Sequence, residues 1–260
     1  MPNQIHPTAV IDPRAELGSD IEIGPYAVID GDVRLGNGCR LGPHVYLTGK
    51  TRIGEANTFH AGCVIGDWPQ DISYRGAPTE TLIGDRNLFR EHVTIHRSTA
   101  EDEPTTIGSD NFLMASSHIG HNARLGNRNI LANCTLIGGH VIVEDQVTFG
   151  GNAAVHQFVR VGRLAMLRGH SGLSKDLPPF TILRDINKLS GLNAIGLRRA
   201  QFSLEDRLEL KRLYHHIFRG GGNIGAAIKS ARPRFTSPHA VEVLDFILNS
   251  RRGVCTESRR

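Results

Sequence analysis

Residues 107–155 read, in blocks of six, IGSDNF LMASSH IGHNAR LGNRNI LANCTL IGGHVI VEDQVT FGGNAA V. Each block opens on an apolar residue, and the spacing extends outward in both directions. From Ile5 to Leu167 in steps of six there are 28 positions, and 25 carry Ile, Leu, Val or Phe; Asp71, Ala77 and Glu101 are the exceptions. An amphipathic helix needs an apolar period near 3.6, and a leucine-rich horseshoe needs a longer unit. A six-residue repeat sustained this long therefore predicts a parallel β-helix.

The residue two before each repeat position is usually small or β-branched (Ala27, Val33, Cys39, Val45, Cys63, Val141 and Ala153 among them). That pattern gives each short strand two inward side chains and makes Cys39 and Cys63 core fillers. Glycine often follows the repeat residue (Gly18, Gly36, Gly120, Gly138, Gly150), where a sharp corner with unusual backbone angles is the expected reason. Two stretches break the pattern with proline, glycine and charge, and 68–81 (WPQDISYRGAPTET) and 98–106 (STAEDEPTT) are expected to be projecting loops. After about residue 186 the period changes. Helices are expected at 203–218 with Ser203 as N-cap, from near Asn223, and from Ser237 with Pro238 in the first turn.

Tandem blocks of the form (Ile/Leu/Val)-Gly-x-x-x-x resemble the hexapeptide-transferase superfamily. The resemblance implies an all-β plus α chain: a left-handed parallel β-helix of hexapeptide repeats over 1–185, three hexads to an 18-residue triangular coil, followed by a C-terminal α-helical domain over 186–260.

Composition narrows the function classes. No run of about 18 apolar residues occurs and the N-terminus lacks a basic region followed by an apolar one, so the chain is read as soluble and cytoplasmic, with no transmembrane segment. Its four cysteines (Cys39, Cys63, Cys134, Cys255) form no CxxC pair, and reduced thiols are expected. Residues 198–260 hold 13 Lys and Arg against 6 Asp and Glu, whereas 1–197 hold 17 against 20. A basic C-terminal end suits an acidic partner or a solvated face. With few aromatics, none interleaved with the arginines, it lacks the stacking surface of a nucleic-acid binder.

Thirteen histidines are present, and spacing selects among them. On an 18-residue coil His121 lies nearly over Gly139 and His140; His156 is 16 residues past His140, and His118 is three before His121. With strands about 4.8 Å apart, His118, His121, His140 and His156 gather along one side of the prism. Two chemistries use clustered imidazoles. Neutral histidine, with an ordinary pKa of about 6.5, is a general base for a hydroxyl attacking a carbonyl, and it is also the commonest zinc ligand. A zinc γ-class carbonic anhydrase shares the β-helix and is one rival, although HIGH does not match its H-x4-H ligand spacing. A non-catalytic β-helix binding protein is another.

The segments QDISYRGAP, VTIHR, SSHIGHNARLGNRNILAN, GGHVIVED, AVHQF, SGLSKDLPPF and GLNAIGLRRAQFS, in that order and over nearly the whole chain, resemble the cytoplasmic UDP-N-acetylglucosamine O-acyltransferases that begin lipid A synthesis. The resemblance implies a homotrimer with sites between neighbouring prisms, an acyl carrier protein thioester as acyl donor, a UDP-sugar acceptor, and neither cofactor nor metal. It makes His121 the general base for the 3-hydroxyl of the sugar and the Gly139 N–H an oxyanion donor. Gln70, Asp71, His118, Gln157, His140 and His156 become substrate contacts, Asn193 and Arg199 lie near the nucleotide, and Gly169 limits acyl length. The +7 end suits an acidic carrier protein.

Some residues depart from the family pattern. Ser73 replaces a lysine, with Arg75 two residues on; Asn122 replaces the acid after the base; Ile195 and Ala200 replace a glutamate and an arginine; Arg168 flanks Gly169. An acyltransferase acting on a different nucleotide sugar, such as a 3-amino analogue, is the alternative these departures raise.

Overall fold

The computed structural model describes residues 2–220 and 223–257. Very short strands follow one another around a triangle, and as far as Gly172–Leu173 each pairs in parallel with the third strand along. This forms the parallel β-helix expected from the repeat, left-handed as the resemblance implies. Face A begins with Gln4–Ile5 and Glu22–Ile23, face B with Val10–Ile11 and Val28–Ile29, and face C with Glu16–Leu17 and Val33–Leu35. We name the three corners AB, BC and CA edges after the faces they join.

Register explains why the six-residue spacing survives its interruptions. Ile5 pairs with Ile23, an 18-residue step, but Thr58 pairs with Leu88 and Leu88 with Phe112. Those two coils are thus longer by twelve and six residues, whole numbers of hexads. Both insertions leave at the BC edge, between Val64–Asp67 and Glu80–Ile83, and between Thr94–His96 and Thr105–Ile107. The loops occupy 68–79 and 97–104; the last residues expected in each already belong to the next strand.

From the second coil onward the repeat residues are buried, and the small residues two before them fill the remaining space, with Ala27, Cys39 and Cys63 fully buried. Each fully buried Ile, Leu or Phe contributes about 1.5–3 kcal/mol, and the rings of Phe59 and Phe89 stack at 4.6 Å, one coil spacing. Glycine after the repeat residue has a different cause from the one expected. The left-handed backbone angle falls two residues later, on ordinary residues such as Tyr26, Asn122, Cys134 and His140. Gly36 and Gly150 are glycines because the next coil passes so close: a Cβ would stand 2.5 and 2.4 Å from the backbone of Gly54 and Gly169.

Inside the CA edge runs a ladder of buried asparagines that the apolar repeat gave no sign of. Asn87 Nδ2 donates to Asn57 Oδ1 (3.0 Å), Asn111 Nδ2 to Asn87 Oδ1 (3.0 Å), and the Asn129 N–H to Asn111 Oδ1 (2.8 Å). The amides satisfy corner backbone groups that neither face pairs.

The far end of the prism is closed by helices α1 (Ala194–Arg199), α2 (Leu204–Phe218), α3 (Ile224–Ala231) and α4 (Pro238–Leu248). Ser203, Asn223 and Ser237 cap α2, α3 and α4, as their sequences lead one to expect. α1 was not expected. The boundary expected at 185/186 falls inside a β-hairpin, Thr181–Arg184 with Lys188–Leu192, and Thr256–Glu257 returns to pair with that hairpin. Strand replaces helix there because the last rung of face A would otherwise expose its unpaired peptide groups.

Asn111→Ala removes the acceptor of the buried Asn129 N–H and the donor to Gly126 O. It is expected to cost about 2–5 kcal/mol in denaturant unfolding, whereas Cys134→Ala, at an exposed corner, changes stability by less than about 0.5 kcal/mol.

Candidate active site

One chain gathers eight of the eleven expected site residues on the BC edge and separates the other three. Gln70 and Asp71 lie on the 68–79 loop, His118 opens the face B strand that leads to this edge, and His121, Gly139, His140, His156 and Gln157 occupy successive BC corners. Gly169 is on the AB edge. Asn193 and Arg199 belong to α1 at the CA edge, where Asn193 caps α1 through Gly196 N (2.9 Å) and donates to Leu164 O (2.9 Å). Both ends of the Asn193 amide are therefore committed to holding the helix, while Arg199 is exposed at its last turn.

His121 is 5% exposed, and its Nδ1 stands 2.9 Å from Asn122 Oδ1. The orientation of Asn122 follows from its other bonds. Its Oδ1 accepts from the Thr99 N–H (3.0 Å) and hydroxyl (2.9 Å), and its Nδ2 donates to Glu103 O (3.1 Å). An oxygen facing Nδ1 requires the ring to donate from there, so the neutral imidazole presents a bare Nε2. Asn122 thereby holds both the base and the 97–104 loop.

Gly139 sits directly under this ring. A Cβ at 139 would come within 2.6 Å of His121 Cε1 and Nε2, so only glycine lets the imidazole lie across the corner. At the CA edge the N–H of this corner position is capped by a side chain of the next coil, as when Asp145 Oδ1 accepts from Asn127 N at 2.7 Å. Among the described residues the Gly139 N–H has no such acceptor. A bare imidazole nitrogen and an uncapped amide hydrogen thus share one corner. That pairing suits proton removal beside a developing oxyanion.

The remaining histidines surround the base. The His140 ring meets His121 edge-on at 5.3 Å, stacks on Phe158 at 4.6 Å, and has Nδ1 3.8 Å from Glu103 Oε2. Burial, followed by His121, lowers the His140 pKa, with Glu103 and Asp71 opposing. Thr94 Oγ1 is 2.8 Å from His118 Nδ1, and burial, with smaller effects from His96 and His121, pushes the His118 pKa down to about 4. His118 therefore stays neutral near pH 7, as a hydrogen-bonding contact should. Asp71 has a lowered pKa because Ser73 donates to its Oδ1 from both hydroxyl (2.7 Å) and N–H (2.8 Å). Arg75 turns back on its own loop, donating to Ile72 O and Tyr74 O.

His96, Phe158 and Glu103 also border this edge, and sequence reading passed over them. His96 is 8% exposed and meets His118 edge-on at 4.8 Å; its place directly after the repeat residue Ile95 was the signal that aligned it with the edge. Glu103 offered no such signal, lying in an insertion outside the repeat. Among the described residues no three His, Cys, Asp or Glu side chains stand in metal-holding geometry, and no helix is long and apolar enough to cross a membrane.

Comparison with known proteins gives this edge a context. A family model described as UDP N-acetylglucosamine O-acyltransferase, domain 2, matches residues 176–255, and one described as bacterial transferase hexapeptide (six repeats) matches 104–139. The chain is 45% identical over 253 residues to an acyl-[acyl-carrier-protein]–UDP-N-acetylglucosamine O-acyltransferase of Anaeromyxobacter sp. (strain K), covering 96% of this chain and 98% of that one. It is 46% identical over 257 residues to a protein of the same name from Janthinobacterium sp. (strain Marseille), with the same coverage. It also superposes on UDP-N-acetylglucosamine acyltransferase from Campylobacter jejuni with a TM-score of 0.93 at 35% identity, over 98% of this chain and 100% of that one. These likenesses favour acyl transfer to the sugar nucleotide over the carbonic anhydrase and binding-protein alternatives.

The depressed pKa of His118 carries a stability consequence. The unfolded chain takes up this proton near 6.5, the folded chain only near 4. Between those values the unfolded state binds more protons, so stability falls as pH drops from about 6.5 to about 4, with His96 and His140 acting in the same direction. Denaturant unfolding at pH 7 and pH 5 is expected to show His118→Gln losing about 2 kcal/mol less than the unsubstituted chain over that interval.

Proposed function

The chain belongs to the acyl-[acyl-carrier-protein]–UDP-N-acetylglucosamine O-acyltransferase family, and on that premise we propose that its BC edge moves an acyl group from a carrier-protein thioester to the 3-hydroxyl of UDP-N-acetylglucosamine. The observation that carries the assignment of roles is the corner shared by His121 and Gly139. The bare Nε2 takes the hydroxyl proton as the oxygen attacks the thioester carbonyl, and the Gly139 N–H receives the negative charge that develops on the carbonyl oxygen. Collapse expels the carrier's thiolate, which recovers the proton from His121. The thioester itself is the activated group, so the reaction draws on no cofactor.

His118, held neutral, His140, His156, Gln157, Gln70 and Asp71 line the same edge as contacts for the sugar nucleotide. The three residues on other edges support a homotrimer. Side chains on different edges of one rigid prism face different directions, and they share a groove only when separate copies supply them. A neighbouring copy's α1, capped by Asn193, would bring Arg199 to the diphosphate with its planar donor fork. Gly151 and Gly169 lie one above the other on the AB edge, and a Cβ on Gly169 would reach 3.2 Å from Gly151 O. That bare backbone supports a role for Gly169 in setting acyl length. The basic C-terminal end supports docking of an acidic carrier protein, and the four free cysteines support a cytoplasmic setting.

Incubation of the purified chain with a 3-hydroxyacyl carrier protein and UDP-N-acetylglucosamine is expected to yield the 3-O-acylated sugar nucleotide. His121→Ala is expected to lower kcat at least about 1,000-fold with unfolding unchanged. Wild-type turnover in that variant, or no transfer by the unsubstituted chain, would refute the assignment.

A further inference from the structure

Resting on the reading of His121 as base, a question of charge remains. An imidazole that is 5% exposed becomes a cation when it takes a proton, and a buried cation needs a compensating charge. Its hydrogen-bond partner, Asn122, is neutral. The other groups facing it are His96, His118 and His140, which supply no negative charge, and the carboxylates of Asp71 and Glu103. Asp71, kept ionised by two hydrogen bonds from Ser73, supplies part of that charge and feels both His121 and His140. Glu103 is placed differently. Its carbonyl is held by Asn122 Nδ2 at 3.1 Å, on the amide that orients His121, and its carboxylate stands 3.8 Å from Nδ1 of His140, whose ring lies against His121.

We propose that Glu103 is a counter-charge of the His121–His140 pair: a positioning residue that acts through His140 to stabilise the imidazolium formed at His121 during acyl transfer. The 97–104 loop, which lengthens its coil by six residues, is thereby part of the catalytic apparatus. It brings a further carboxylate to the edge that Asp71 already serves. The chemistry balances without Glu103 changing its protonation. The hydroxyl proton passes to His121 Nε2, the C–O bond forms, the C–S bond breaks, and the thiolate takes the same proton away. Glu103 lowers the energy of the state in between. Because its side chain is half exposed, solvent screens it and the effect is moderate.

Glu103→Gln keeps the carbonyl that anchors the loop and removes only the charge. It is expected to lower kcat about fivefold to tenfold with KM for UDP-N-acetylglucosamine within about twofold, and to move the acidic limb of the kcat profile to lower pH. Histidine-ring NMR of the full chain is expected to show His140 titrating at lower pH in the same variant. Glu101→Gln, an equal charge change on the exposed part of the loop, is expected to leave kcat and titration unchanged. Unchanged kcat in Glu103→Gln, an unmoved His140 titration, or an equal loss in Glu101→Gln would each overturn the proposal. The NMR titration does not depend on turnover, so absence of acyl transfer by the unsubstituted chain would refute the base assignment separately. Should Glu103→Gln fail to fold, Glu103→Asp is expected to show a smaller shift of the same sign, and no shift would count against the idea.

Discussion

Peptide groups of each coil pair with those of the next at a fixed separation of about 4.8 Å, and the rest of the structure follows from that spacing. Stacking parallel coils in register places residue i beneath residue i+18, or beneath i+30 and i+24 where the two loops lengthen a coil. The inner residues become continuous columns, with Phe59 on Phe89 and Asn57 on Asn87 on Asn111. Outside, the same closeness excludes Cβ atoms after the repeat residue, and glycine there reflects the neighbouring coil rather than a backbone angle.

The candidate site is a local use of that constraint. Along the CA edge side chains of the next coil cap N–H groups of the turns, as at Ser109 and Asn127. Where the next coil supplies Gly139, room is left for an imidazole to lie across the corner and an amide hydrogen stays uncapped. Burial among other rings then sets the protonation of the surroundings. His118 is driven far below its ordinary range and His96 and His140 shift in the same direction, so the edge is lined with neutral donors and acceptors. The loop insertions add what a regular coil lacks: an acidic turn around Asp71 and a carboxylate at Glu103.

A rigid prism also explains why one chain presents only part of an expected site. Each edge faces its own direction, and no rearrangement of short, fully paired strands would swing α1 or Gly169 towards His121. The proposed homotrimer would bring different edges together without distorting any of them.

The repeat residues, the inward small residues, three helix caps and the histidine column were legible in the amino-acid sequence, because all depend on local spacing that a period of six and a coil of 18 convert into position. Even the survival of the register across both loops was written there, since the insertions are whole hexads. Other features were decided only by the folded chain. The asparagine ladder, the short helix α1 and the returning strand at 256–257 answer unpaired backbone groups that exist only once coils have stacked and the last one needs closing. The tautomer of His121, the commitment of Asn193 to a helix cap and the approach of Glu103 to His140 depend on contacts between segments whose separation no period describes. Sequence spacing determined which residues share an edge; three-dimensional packing decided what each of them touches there.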